Sequence, residues 1–169
     1  MSVHRAVPAL GALVAVVVVV AVSTTGRHAR AGRTADVTVE RVVDGDTVVV
    51  RLTRGQERVR LVGIDTPETV DPRKPVQCFG KEASNRTKAL LPKGTAIRLE
   101  RDVEARDKYG RLLAYVFRRQ DGMFVNLDLA EEGYARPLTI PPNVAYADQF
   151  AAAAAEAQRM GRGLWRACR

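Results

Sequence analysis

Residues 58–68 read RVRLVGIDTPE, and the fold turns on how this stretch is taken. Its first eight residues, 58–65, form an apolar-centred strand. Asp65-Thr66-Pro67-Glu68 then ends it abruptly, because proline cannot donate to a ladder and stiffens the turn. Two acids and two arginines therefore sit around the end of one half-buried strand.

Working towards the N-terminus, VTVERVV (37–43) and DTVVVRL (46–52) are rich in β-branched residues. They are joined through Asp44-Gly45, a strong hairpin signal. Arg54-Gly55-Gln56 supplies the next turn, so the three runs make an antiparallel meander. Working towards the C-terminus, Phe79, Ala83, Thr87 and Leu90 mark one face of a helix over 79–91, stopped by Pro92. TAIRLERDV (95–103) and RLLAYVF (111–117) return to strand periodicity. Asn126 is placed to cap a short helix that Gly133 terminates. An alanine-rich helix over 143–160 follows, and then Trp165, expected against the core. The order predicts an α+β fold, mainly β: five short antiparallel strands closed into a small barrel, with helices added.

In a meander the start of the second strand lies beside the end of the third. Asp46 and Asp65 are thereby brought to one end of the sheet. Two close carboxylates raise each other's pKa unless a cation lies between them, and an all-oxygen pair suits Ca²⁺ or Mg²⁺. Glu68, held out by Pro67, is placed to take a proton from water. Arg60 and Arg111 are placed to bind phosphate oxygens bidentately. Metal, carboxylate base and two arginines are the parts of a phosphodiester displacement. Strict alternation sets Arg60 and Asp65 on opposite faces, so they converge only if the strand bulges or twists near its end, with Gly63 a place for that.

The whole chain agrees with an anionic partner. It has 169 residues and a formal charge of +8, with 46% hydrophobic and 27% charged residues. Nucleic acid is the first partner to consider, anionic lipid the second, and no partner at all the third. The only histidines are His4 and His28, outside the folded part, so no histidine base or Ser-His-Asp triad is available there. Residues 6–22 are uncharged and follow Arg5, the pattern of a secretory signal, with retention as an N-terminal membrane anchor as the alternative. Residues 1–36 are thus read as signal or anchor plus flexible leader, and 37–169 as the domain. Either way the domain lies outside the cytoplasm. In that compartment Cys78 and Cys168 are expected to form a disulfide, against the alternative of two buried thiols.

VVDGDTVVVRL (42–52), VRLVGIDTPET (59–69), FGKEAS (79–84) and DKYGRLLAYVF (107–117) resemble the staphylococcal nuclease family in order and spacing, from about residue 37 to Gly163-Leu164-Trp165. The resemblance implies a five-stranded OB-fold barrel with three α-helices. It implies a monomeric, Ca²⁺-dependent nuclease acting on DNA and RNA and leaving 3′-phosphate ends. It implies that Asp46 and Asp65 ligate calcium through carboxylates and Thr66 through its carbonyl. Glu68 would be the general base, Arg60 and Arg111 the phosphate ligands, and Lys108 and Tyr109 neighbours of a terminal phosphate. The loop RPLTIPPN (136–143) departs from the family, whose type member has tyrosines there. A non-catalytic nucleic-acid-binding module is the competing reading, but it has no need of Glu68 beside anionic phosphates.

Overall fold

The computed structural model describes Met1, residues 37–73 and residues 75–168; the apolar run at 6–22 and its leader lie outside them. Among the described residues seven strands and four helices follow in chain order: β1 (Val37–Val42), β2 (Thr47–Leu52), β3 (Gly55–Leu61), β4 (Gly63–Asp65), α1 (Gly80–Leu90), β5 (Ala96–Glu100), β6 (Leu112–Arg118), α2 (Val125–Glu131), β7 (Arg136–Leu138), α3 (Ala147–Arg159) and α4 (Leu164–Ala167). β1-β2-β3-β6-β5 close into a barrel, and β4 and β7 form a separate two-stranded sheet. The α+β barrel is as expected, with α4 a single extra turn beyond the three longer helices.

The β-branched runs fill the barrel. Val48, Val50, Val59, Leu61 and Ile97 are fully buried, each stabilising the fold by roughly 1.5–3 kcal/mol relative to exposure. Alternation on β3 then turns Arg58 and Arg60 away from that core. One expectation is corrected: β3 and β6 pair in parallel, not antiparallel. The long connection through α1 and β5 brings the chain back in the same direction, which a hairpin cannot do.

The stretch 58–65 is not one strand. It breaks at Val62, and Gly63 takes φ +85, open to glycine at little cost. A Cβ there would lie 2.1 Å from the Phe150 ring of α3. Beyond the break the chain leaves the barrel and pairs Ile64 with Pro137 and Asp65 with Arg136.

Asn126 does not cap α2 but lies inside it, fully buried. Its amide donates to the Val62 carbonyl at 2.8 Å, and its oxygen accepts the Val116 N–H at 2.9 Å. It thereby satisfies the backbone where β3 ends. Trp165 is only partly buried, and the neighbouring Leu164 is the residue that enters the core. α3 buries Phe150, Ala154 and Ala157, a helical stripe whose small residues allow close approach. Cys78 and Cys168 are bonded, closing a 90-residue separation with Cα atoms 5.9 Å apart.

Candidate active site

The β1–β2 turn and the end of β3 meet as expected. Asp46 is buried, and its backbone carbonyl accepts the Leu61 N–H at 2.8 Å. Its Oδ2 accepts both the N–H of Thr66 at 2.9 Å and the Thr66 hydroxyl at 3.0 Å. Its Oδ1 accepts the Thr47 hydroxyl at 3.1 Å. Gly45 makes this contact possible, since a Cβ would lie 2.6 Å from Thr66 Oγ1. α1 locks the same turn, with the Thr87 hydroxyl donating to the Gly45 carbonyl at 2.6 Å.

Arg60 lies across the two acids. Its Nε is 3.1 Å from Asp46 Oδ1, and its Nη2 is 3.1 Å from Asp65 Oδ1. Its Nη1 donates to the carbonyls of Leu61 and, at 2.8 Å, Ile64. The break at Val62–Gly63 brings the two side chains to one face. Even with this guanidinium present, burial and the charge of Asp46 raise the pKa of Asp65. Asp44 is half-buried beside them, and burial followed by the Asp46 charge pushes it up to about 6. Its Oδ1 also accepts the Asp46 N–H at 3.1 Å. Sequence reasoning treated Asp44 only as a turn residue. The Asp-Gly-Asp spacing was the signal, since two residues flanking one glycine in a tight turn share an end of the sheet.

Glu68 sits on the loop beyond. Its Oε1 accepts the N–H groups of Thr69 and Val70 at 2.7 Å each and of Asp71 at 3.2 Å. The Val70 bond is the largest cause holding Glu68 below its ordinary pKa; burial opposes it, and the bonds from Asp71 and Thr69 add to it. The ionised form of Glu68 is thereby favoured, and these three bonds are all made to Oε1. Arg111 is aimed by Asp107, whose Oδ2 lies 2.7 Å from Arg111 Nε. Burial opposes the Asp107 charge, but the bonds from Arg111 and from the backbone of Arg111 and Tyr109 hold its pKa low.

One cleft of about 310 Å³ is lined by Asp44, Asp46, Arg60, Asp65, Thr66, Pro67, Glu68, Gln77 and Arg111. Six of the eight residues singled out from sequence share it. The other two, Lys108 and Tyr109, line an adjoining groove of about 400 Å³ that also includes Arg60 and Arg111. Tyr109 is 72% exposed, with Arg111 5.5 Å from its ring centre. Leu138 and Ile140 stand in the same groove as the aliphatic part of the RPLTIPPN loop. On the other side, a groove of about 420 Å³ shares Asp44, Glu68 and Arg111 with the cleft and adds Arg58 and Arg73.

The donor set fits a hard divalent cation. All its side-chain donors are carboxylates, and two of them have raised pKa values that a cation would relieve. Among the described residues no three Asp, Glu, His or Cys side chains form a metal-holding group. A hard cation held by carboxylates here would complete its shell with carbonyl and water oxygens.

Residues 58–167 match the family described as Staphylococcal nuclease homologue. The thermonuclease of Staphylococcus intermedius is 50% identical over 127 residues, covering 75% of this chain and 74% of that protein. The thermonuclease of Staphylococcus hyicus is 45% identical over 127 residues, covering 75% and 73%. The endonuclease YncB of Bacillus subtilis is 42% identical over 132 residues, covering 77% of this chain and 61% of that protein.

Proposed function

Because the chain belongs to the staphylococcal nuclease family and is a nuclease, we propose that it hydrolyses DNA and RNA with Ca²⁺ as its cofactor, from the cleft that joins Asp46, Asp65 and Glu68. The observation that carries this reading is Arg60 bridging Asp46 and Asp65 in the cleft that also holds Glu68 and Arg111. Asp46 and Asp65 would hold the ion through their carboxylates, and Thr66 through its carbonyl. When bound, the ion supplies Lewis-acid stabilisation of the negative charge on the phosphate.

The chain's own residues do the rest. Arg60 and Arg111 bind the phosphate oxygens and stabilise the charge that builds on them. Arg60 exchanges its carboxylate partners for phosphate, and Arg111 is presented by Asp107. Glu68 takes the proton of the attacking water through Oε2. Water oxygen bonds to phosphorus, the P–O5′ bond breaks, and O5′ leaves with a proton from solvent, giving 3′-phosphate and 5′-hydroxyl ends. Lys108 and Tyr109 receive one side of the substrate, and Arg58 and Arg73 line its continuation on the other. Thr66 orients Asp46 through its two hydrogen bonds.

We read residues 1–36 as an export signal or anchor, placing the nuclease outside the cytoplasm; the disulfide suits that compartment. The deciding experiment measures cleavage of end-labelled single-stranded DNA and RNA with Ca²⁺, with Mg²⁺ and with excess chelator. The result expected is cleavage with Ca²⁺ alone, 3′-phosphate ends, and a raised Ca²⁺ requirement in Asp46→Ala. Full activity in chelator, or an unchanged Ca²⁺ requirement in Asp46→Ala, overturns the ligand assignment.

A further inference from the structure

We propose that Gln77 is a positioning residue for Glu68, and that the Cys78–Cys168 disulfide anchors it: the C-terminus is a clasp on the catalytic loop. This rests on the reading of Glu68 as the base.

Residues 68 and 77 close the loop between them by two reciprocal bonds. The Gln77 N–H donates to the Glu68 carbonyl at 3.0 Å, and the Glu68 N–H donates to Gln77 Oε1 at 2.9 Å. Inside the loop, Glu68 Oε1 accepts three successive backbone N–H groups, so the direction of its carboxylate follows the shape of the loop. A change at the neck is therefore felt at the carboxylate.

Gln77 is itself exposed, so burial does not hold it. What holds it is the next residue. Cys78 is bonded to Cys168, which follows α4 directly. α4 is rooted in the core by buried Leu164, whose N–H donates to the Gly133 carbonyl at 2.8 Å. The same C-terminal segment braces the other flank. Asp65 pairs in register with Arg136, and the Arg136 guanidinium lies 4.8 Å from the centre of the Trp165 ring. A cleft of about 220 Å³ is walled by Asp65, Pro67, Gln77, Arg136 and the two cysteines. The start of α1 presses on the loop from below, where a Cβ on Gly80 would lie 2.6 Å from Thr69 Cγ2.

A disulfide that only staples the fold acts on the unfolded chain and leaves turnover untouched. A clasp acts on kcat, at nearly constant KM, and only while the Glu68 carboxylate is there to be aimed. The experiment measures kcat and KM on single-stranded DNA at saturating divalent cation. The variants are Gln77→Ala, Gln77→Glu, Cys78→Ser with Cys168→Ser, and Gln77→Ala combined with Glu68→Gln. Misplacing a reacting group by an ångström costs up to about 10²-fold, so Gln77→Ala should lower kcat roughly 10- to 100-fold with KM within about twofold. Gln77→Glu keeps an acceptor for the Glu68 N–H and should recover to within about fivefold of wild type. On the Glu68→Gln background Gln77→Ala should cost nothing further, because the two act as one unit. The double-serine variant, assayed below its unfolding temperature, should lose kcat in the same way.

Wild-type kcat in Gln77→Ala, or an equal loss with and without the Glu68 carboxylate, overturns the positioning role. Wild-type kcat in the double-serine variant overturns the anchoring role of the disulfide. Wild-type turnover in Glu68→Gln alone instead removes the base assignment, which is a separate failure. Should Gln77→Ala not fold, Gln77→Ser against Gln77→Glu makes the same comparison.

Discussion

Thr66 holds Asp46 twice: its N–H and its hydroxyl both donate to Oδ2, at 2.9 and 3.0 Å, across 20 residues of sequence. The pair ties the turn between β1 and β2 to the loop that carries Glu68. It also fixes which oxygens of Asp46 remain for Arg60 or for a cation.

Thr66→Val keeps the shape but removes the hydroxyl donor from a buried carboxylate. The unmade bond should cost about 1–2 kcal/mol of stability, read from denaturant unfolding. An unchanged unfolding midpoint would mean that the N–H bond alone orients Asp46.

Glu68→Gln keeps the size of the side chain and removes the base. General-base catalysis contributes roughly 10²- to 10⁴-fold, so kcat should fall by that order while nucleotide affinity stays within about threefold. Steady-state kinetics with equilibrium binding of a non-cleaved oligonucleotide separates the two. A variant retaining wild-type kcat takes Glu68 out of the chemistry.

Arg58 lies on the outer face of β3 in the groove that shares Asp44, Glu68 and Arg111 with the cleft of Asp46 and Asp65. If it meets one phosphate of a longer substrate, Arg58→Ala should weaken single-strand binding and reduce the slope of log affinity against log salt by ~0.7. A dinucleotide, too short to reach it, should bind as before. Equal effects on short and long substrates would place the substrate elsewhere.

Gly63→Ala combines a positive φ with a Cβ 2.1 Å from the Phe150 ring. Strain and overpacking together should cost about 2–5 kcal/mol. Cleavage should be lost alongside stability, since Asp65 lies two residues further along the same strand. A guanidinium melt of the purified variant measures the first, and a wild-type midpoint there would show that the ring moves aside freely.

Acid and alkali should both act through one pair. Asp102 is opposed by burial, but hydrogen bonds from the Ala145 N–H, the Tyr115 hydroxyl and the Val103 N–H hold it below its ordinary value of 3.8. A lowered carboxyl pKa lends stability that is whole above that value and is lost as pH falls through the folded pKa. Tyr115 is the converse: burial first, then the bond to Asp102, raise it above its ordinary value of 10.0. Its contribution is whole below that pH and is lost as pH rises further. Unfolding free energies of wild type and Asp102→Asn across this range should differ most at neutral pH and converge in acid. A gap that does not change with pH would dismiss the linkage.

Much of this was legible in the sequence because the evidence for it is local. Asp44-Gly45 and Arg54-Gly55 announce the two tight turns of a meander, and the second turn, by pairing β2 with β3, brings Asp46 near the end of β3. Distant contacts were not legible. The strand break at Val62–Gly63 is written in Phe150, far along the chain, and in Asn126, which looked like a cap and instead bonds the Val62 carbonyl. β7 is three residues, Arg-Pro-Leu, too short to show a period. Arg58 stayed hidden because alternation gives its face but not the groove it overlooks.

The order in which the chain is made adds a last point. Asp44, Asp46, Arg60, Asp65 and Glu68 all precede residue 69, yet what braces them comes later along the chain: Arg111 before β6, Arg136 from β7 and Cys168 after α4. Synthesis runs from the N-terminus. A nascent chain therefore carries these acids before it carries the residues that brace them.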